Sequence, residues 1–115
     1  MGQVIAHSEA IAELREAIRY YEEKSPGLGR RFLDEVNEFV LRIVEHPTRH
    51  SERVAGVRRA NLKRFPLHIH YLLDADTIAI VAIAHDKRRP FYWKERLGGE
   101  VTPSSWSPYS GDAGK

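Results

Sequence analysis

From Ser8 to Lys24, Ile11, Leu14, Ile18 and Tyr21 recur at spacings of three, four and three residues. That is one apolar stripe of an amphipathic helix. Arg15, Glu16, Arg19, Glu22 and Glu23 fall largely off the stripe. Ser8 is expected as N-cap, with Glu9 in the first turn, where the helix dipole favours negative charge. Lys24-Ser25-Pro26 interrupts the pattern. Ser25 is expected to cap a second helix with Pro26 at its first position, where proline loses no intrahelical bond. Leu28, Phe32, Leu33, Val36, Phe39, Val40, Ile43 and Val44 carry that helix to His46-Pro47. It ends there because the residue before a proline is pushed out of the helical region. The pair predicts a helical hairpin.

Val4 to His7 is expected as a first strand, and Thr48 to Gly56 as a polar linker. Beyond the linker the period becomes that of strands: Val57–Leu62, Leu67–Leu73 and Thr77–Ala84, with Asp74-Ala75-Asp76 as a turn. In the second strand Ile69, Tyr71 and Leu73 share one face, and His68, His70 and Leu72 the other. The third is apolar on both faces, which suits a central position. Short connections make the three an antiparallel meander. Phe91 to Leu97 is expected as a last helical turn, closed by Gly98-Gly99. The order predicts an α+β fold, with an N-terminal strand and a two-helix hairpin packed on a small antiparallel sheet. Residues 1–97 form a single domain in this reading. Residues 98–115, rich in Gly, Pro and Ser, are expected as a flexible tail.

Composition narrows the function classes. The 115 residues are 42% hydrophobic and 30% charged, as in a folded domain. With no cysteine there is no disulfide, thiolate zinc site, Fe–S cluster or cysteine nucleophile. No apolar run approaches the ~20 residues of a membrane span, and the N-terminus lacks a signal-peptide pattern. The expected location is cytoplasmic, away from membranes. The net charge of +2 conceals an asymmetry: residues 1–52 hold seven basic and ten acidic side chains, and residues 53–115 hold eleven and six. A basic half suits a polyanionic or acidic partner, either nucleic acid or an acidic protein segment. It also suits exposed strand faces and edges, where cations discourage aggregation.

There is no Walker motif, GxGxxG, HExxH or G-x-S-x-G. His68 and His70 on one strand and His85 at the end of the next are poorly spaced for a metal, and no metal or cofactor is expected. The segment richest in chemistry is Ala84-His85-Asp86-Lys87-Arg88-Arg89-Pro90-Phe91-Tyr92-Trp93-Lys94. A histidine suits acid–base work near neutral pH. Cations stabilise the charge of a phosphoryl transition state, and aromatics stack on unpaired bases. Together they could cleave RNA through its 2′-hydroxyl without a metal. Alternatively, Phe91 and Trp93 pin the C-terminal element to the sheet, which is the preferred reading for those two. For His85, Arg88 and Tyr92 both readings stand.

The ordered set Val57-Arg58-Arg59, Lys63-Arg64-Phe65-Pro66-Leu67-His68-Ile69-His70-Tyr71, Thr77-Ile78-Ala79-Ile80, Ala84-His85 and Arg88-Arg89-Pro90-Phe91-Tyr92-Trp93 resembles the RelE/ParE superfamily of toxins from bacterial type II toxin–antitoxin systems. Glu16-Ala17-Ile18-Arg19-Tyr20-Tyr21, Gly29-Arg30-Arg31-Phe32-Leu33 and a helix ending at His46-Pro47 extend the resemblance over roughly residues 3–97. It implies the same fold and a toxin silenced by a cognate antitoxin with an acidic C-terminal segment. ParE-like members inhibit DNA gyrase by binding, and RelE-like members cut mRNA on the ribosome. Where RelE-like members carry a strand arginine, this chain has His68. Their last-strand cation falls at Lys87 or Arg88, their aromatic at Tyr92, and their lysine pair is matched loosely by Arg59 and Lys63. Phe65-Pro66 and Pro90-Phe91-Tyr92-Trp93 lean to the ParE-like side. The expected binding residues are therefore Arg58, Arg59, Lys63, Arg64, His68, Lys87, Arg89 and Trp93. His85, with Arg88 and Tyr92, is catalytic only under the ribonuclease alternative. A third alternative is an inactive antitoxin-binding module.

Overall fold

The apolar stripes of the two helices are buried against one face of a sheet. In a computed structural model that describes residues 3–98 and 104–105, the elements are β1 (Gln3–Ala6), α1 (Ser8–Lys24), α2 (Leu28–Glu45), β2 (Glu52–Val54), β3 (Val57–Asn61), β4 (Leu67–Asp74), β5 (Thr77–His85), α3 (Lys94–Gly98) and β6 (Ser104–Ser105). Ala10 and Leu14 of α1 and Phe32, Val36, Val40 and Ile43 of α2 meet Ile69, Tyr71, Ile78, Ile80 and Ile83 in the main core. Fully burying a side chain of this kind contributes about 1.5–3 kcal/mol.

The helix starts differ from expectation. His7, not Ser8, caps α1: its Nδ1 accepts the Glu9 N–H at 3.0 Å. Ser25 closes α1, and α2 begins two residues past Pro26, after Gly27 at φ +88°. Glu22, in the last turn of α1, accepts the N–H groups of Gly27 (2.9 Å) and Gly29 (3.0 Å). The first helix thus satisfies the free donors of the second, and no Ser25 cap is needed.

The sheet order is β2-β3-β4-β5-β1-β6. The meander β3-β4-β5 is antiparallel, as its short links require, but β1 pairs parallel to β5, with Val4 opposite Ile78 and Ala6 opposite Ile80. The sheet is therefore mixed. The helical hairpin returns the chain to the same end of the sheet, which permits a parallel neighbour. The linker over Thr48–Gly56 contains a further strand, β2, joined to β3 by Ala55-Gly56, both at positive φ. Two-residue hairpin turns have that geometry because its twist matches that of the strands. Apart from Gly98 and Ser104–Ser105, the stretch expected as a tail lies outside the described residues; Ser104–Ser105 pairs with β1.

A bulge divides β5. Tyr71 faces Ile80 and His70 faces Ala82, so Val81 is unmatched. The extra residue shifts the alternation. Ile80 and Ile83 both reach the helical core, while Val81 and Ala82 join Val57 and Trp93 in a second cluster.

Candidate functional site

The face of the sheet away from the main core carries a pocket of about 330 Å³. His68 and His70, two apart on β4, project into it by strand alternation, and Arg59 comes from the neighbouring strand, paired opposite His70. Arg53 of β2 and the segment after β5, Asp86 and Arg88 to Trp93, complete the wall. Trp93 is 1% exposed and its ring lies 4.9 Å from that of His70, tilted by 43°. Phe91 is 46% exposed and sits at φ +60°.

Four arginines and one carboxylate line this pocket. Asp86 is engaged by the lining itself: its Oδ1 lies 2.8 Å from His68 Nδ1 and 3.8 Å from the Arg59 guanidinium. Burial holds His68 below the usual imidazole value, with the Asp86 hydrogen bond opposing and the Arg59 charge assisting. His68 donates to the Asp86 carboxylate through Nδ1–H. Burial, reinforced by positive charge at His68, Arg59, Arg53 and Arg96, pushes His70 down to about 3. His70 Nδ1 is buried with no hydrogen-bond partner among the described residues.

This gives a pH dependence of defined sign. The folded-state value of His70 lies below its unfolded value near 6.5, so the unfolded chain binds the proton first. The stability it contributes is complete above about pH 6.5 and is lost as pH falls from there towards 3. Urea unfolding of wild type and His70→Leu at pH 7.5 and pH 5 should show the wild type losing about 2 kcal/mol more than the variant. Parallel losses would contradict the burial of a neutral imidazole.

Behind the pocket, Glu13 of α1 ties the C-terminal element to the sheet. Its Oε1 accepts the Ile83 N–H at 3.0 Å, and its Oε2 accepts the Tyr92 hydroxyl at 2.7 Å and Arg96 Nη2 at 2.8 Å. Arg96 also donates to the Val81 carbonyl at 2.9 Å and pairs with Glu9 at 3.2 Å. β1 stops pairing at Ile80, so these side chains take over the edge of β5 beyond it. Burial and the Glu13 hydrogen bond raise the Tyr92 phenol well above its ordinary range. The Arg88 guanidinium lies over the Tyr92 ring at 3.9 Å.

Of the residues singled out from the sequence, Arg59, His68, Arg88, Arg89, Tyr92 and Trp93 share this pocket. His85 does not line it. It lines a groove against α1 with Glu13, Tyr20, Lys24 and Leu67, and its Nδ1 accepts the Lys87 N–H at 3.0 Å. Arg88 borders both the groove and the pocket. Arg58 donates to the His50 carbonyl at 2.6 Å, at the end where α2 leads into β2. Lys63 and Arg64 lie in the β3–β4 loop, where their N–H groups donate to buried Glu35 at 2.5 and 2.9 Å. Trp93 packs as expected, whereas Phe91, expected to pin the C-terminal element, is about half covered: it is 46% exposed, with its ring 6.0 Å from that of Trp93. Arg53 and His70 were not among the expected binding residues. The Ala55-Gly56 turn signal would have placed Arg53 on a strand, and the His-x-His alternation puts His70 beside His68. Among the described residues no group of three or more His, Cys, Asp or Glu is arranged to hold a metal, and no helix is long and apolar enough to cross a membrane.

The family model described as the ParE toxin of type II toxin–antitoxin system, parDE, matches residues 4–90. The chain belongs to the ParE toxin family. The structure is also similar to a solved chain described as the chromosomal ParDE TA system from P. aeruginosa. That match has 21% identity and a TM-score of 0.65, and covers 74% of this chain and 96% of the other. At that identity the likeness speaks for the ParE fold alone. No curated protein matches the sequence. The family match ends at Pro90, so Phe91, Tyr92, Trp93 and α3 lie beyond the matched residues.

Proposed function

We propose that this ParE toxin arrests growth by binding a macromolecular target in the cytoplasm, and that a cognate antitoxin silences it by laying an acidic C-terminal segment on its basic surface. The observation that carries this reading is the family match over residues 4–90. The arginine-rich pocket supports it, because such a surface attracts acidic chains. DNA gyrase is the target the superfamily resemblance implies. Binding is favoured over RNA cleavage by the placement of the nuclease candidates. His85 lines the α1 groove rather than the pocket with Arg59, and the Tyr92 hydroxyl is held by Glu13.

The test is induction without the antitoxin, with purified gyrase supercoiling and mRNA integrity in translating extract measured side by side. Altered supercoiling with intact transcripts is expected, and His85→Ala should arrest growth as wild type does. Transcript cutting that disappears in His85→Ala would overturn this reading in favour of the ribosome-dependent nuclease. Absence of arrest under confirmed expression would leave an antitoxin-binding module.

A further inference from the structure

We propose that the edge of β5 beyond its pairing with β1 is a strand-addition slot, which takes an extended antitoxin segment of alternating apolar and acidic side chains, running parallel to β5 in the groove against α1. This rests on the antitoxin reading above and adds where part of that partner lies, in which conformation and in which direction.

The edge itself sets the direction. β5 continues five residues past Ile80, its last pairing with β1, roughly 16 Å at the rise of a strand. Asp86 N–H donates to the Pro66 carbonyl on the β4 side. By alternation Ala84 also bonds towards β4, and Ile83 and His85 turn their backbone groups to the side that β1 has left. Two of those four groups are engaged: Ile83 N–H donates to Glu13 at 3.0 Å, and the His85 carbonyl accepts Arg88 N–H at 2.9 Å. Among the described residues nothing takes the other two, the Ile83 carbonyl and the His85 N–H. One residue of a parallel strand uses such a pair, donating to the first group and accepting from the second. An antiparallel strand needs both groups of one residue, and Ile83 and His85 each have one occupied. β1 is parallel to β5 in the same row, so the added segment continues its line.

The groove provides the room and the chemistry. About 630 Å³ lies between this edge and α1. Glu13, Ala17, Tyr20 and Lys24 recur at spacings of four, three and four, a second stripe of α1 beside the core stripe of Leu14, Ile18 and Tyr21. Ala17 keeps the middle of the groove open. Tyr20 is 53% exposed, and the apolar side chains of a strand, falling at every second residue, would cover it. Glu13 is engaged by Ile83, Tyr92 and Arg96, which leaves Glu16 against Lys24 and Arg88. His85 Nδ1 accepts the Lys87 N–H, so its Nε2 is a further donor. The surplus is cationic and suits acidic side chains. Arg88 also lines the open-face pocket, so a segment leaving the slot is delivered to the arginine-rich surface. A helix would satisfy its own backbone and leave Ile83 and His85 unpaired.

The probe is the antitoxin encoded by the adjacent reading frame, titrated calorimetrically into the full toxin chain, with toxin amide hydrogen exchange followed by NMR. The His85 amide should exchange at least tenfold more slowly in the complex. His85→Pro removes that donor at a strand edge, where proline is tolerated, and should weaken binding at least tenfold. His85→Ala keeps the N–H and should bind within about threefold of wild type. Ala17→Glu, which fills the groove and adds a negative charge, should weaken binding at least tenfold without touching the edge. Tight binding with His85 exchange unchanged, or with His85→Pro and Ala17→Glu both equal to wild type, would overturn the slot and leave the antitoxin reading standing. Protection of His85 that rises with toxin concentration alone would give the slot to a second copy, against the proposal. No binding at all would remove the antitoxin reading and the slot with it.

Discussion

Glu13→Ala is expected to destabilise the protein by about 3 kcal/mol, because it strips three donors of their acceptor at once. The Ile83 N–H, the Tyr92 hydroxyl and the Arg96 guanidinium converge on this one carboxylate, and Arg96 is only 10% exposed. Removing one member of a partly buried ion pair is more damaging than replacing both, since a charge remains with nothing to meet it. For a domain of this size the melting temperature should fall by roughly 15 °C. Glu13→Gln should lose about half as much, because its amide oxygen can still accept from Ile83 or Tyr92. In a double-mutant cycle, Glu13→Ala with Arg96→Ala should be clearly less damaging than the sum of the two. The same variant should open the Arg96–Leu97 bond to trypsin, because Arg96 is only 10% exposed while it and the Tyr92 hydroxyl are fastened to Glu13 of α1. Additive losses with unchanged proteolysis would show that the C-terminal element is held by Trp93 alone.

Gly29→Ala should be almost as harmful, against the usual rule for helices. In an ordinary helix interior, alanine gains about 1 kcal/mol over glycine. Gly29, however, sits where α2 crosses α1, and a Cβ there would lie 2.6 Å from the Ile18 carbonyl oxygen and 3.0 Å from Glu22 Cβ and Oε1. The nearest atom is backbone, so no rotamer change relieves it. The helices must part, loosening the Glu22 hydrogen bonds to Gly27 and Gly29. A net loss of about 2–3 kcal/mol in urea unfolding is expected. Gly27→Ala is the control. It meets nothing within 4 Å, so only the left-handed backbone at φ +88° opposes it, at about 1 kcal/mol. If Gly29→Ala proved neutral, the close helix crossing would be wrong.

The helical hairpin was legible because each helix repeats its own apolar stripe, a signal that needs no partner to be read. His46-Pro47 marked the end of α2 for the same local reason. The starts of both helices were misplaced because their caps come from unexpected donors and acceptors: an imidazole at His7, and a carboxylate seven residues before Gly29. β2 was hidden in the polar stretch, since an edge strand with exposed faces has no hydrophobic alternation to show. Its turn residues were the better signal.

The candidate site was half legible. A basic, aromatic cluster after β5 stood out by composition, and it does wall the pocket. The partition within that cluster was not. His85 and Asp86 are adjacent in sequence, yet His85 lines the α1 groove and Asp86 the open-face pocket. Trp93 and Phe91 are two apart, yet one is buried and the other is 46% exposed.

By itself the sequence determined the α+β class, the helix pair, the antiparallel meander and the sign of the charge that gathers after residue 53. These follow from periodicity, short connections and counting, all of them properties of neighbours along the chain. Only the tertiary structure decided the parallel placing of β1, the bulge at Val81, the hold of Glu13 on Tyr92 and Arg96, and the meeting of Arg53 with Arg59, His70 and Phe91. Each depends on register between segments far apart in the chain, and a shift of one residue in a strand sends every side chain to the opposite face.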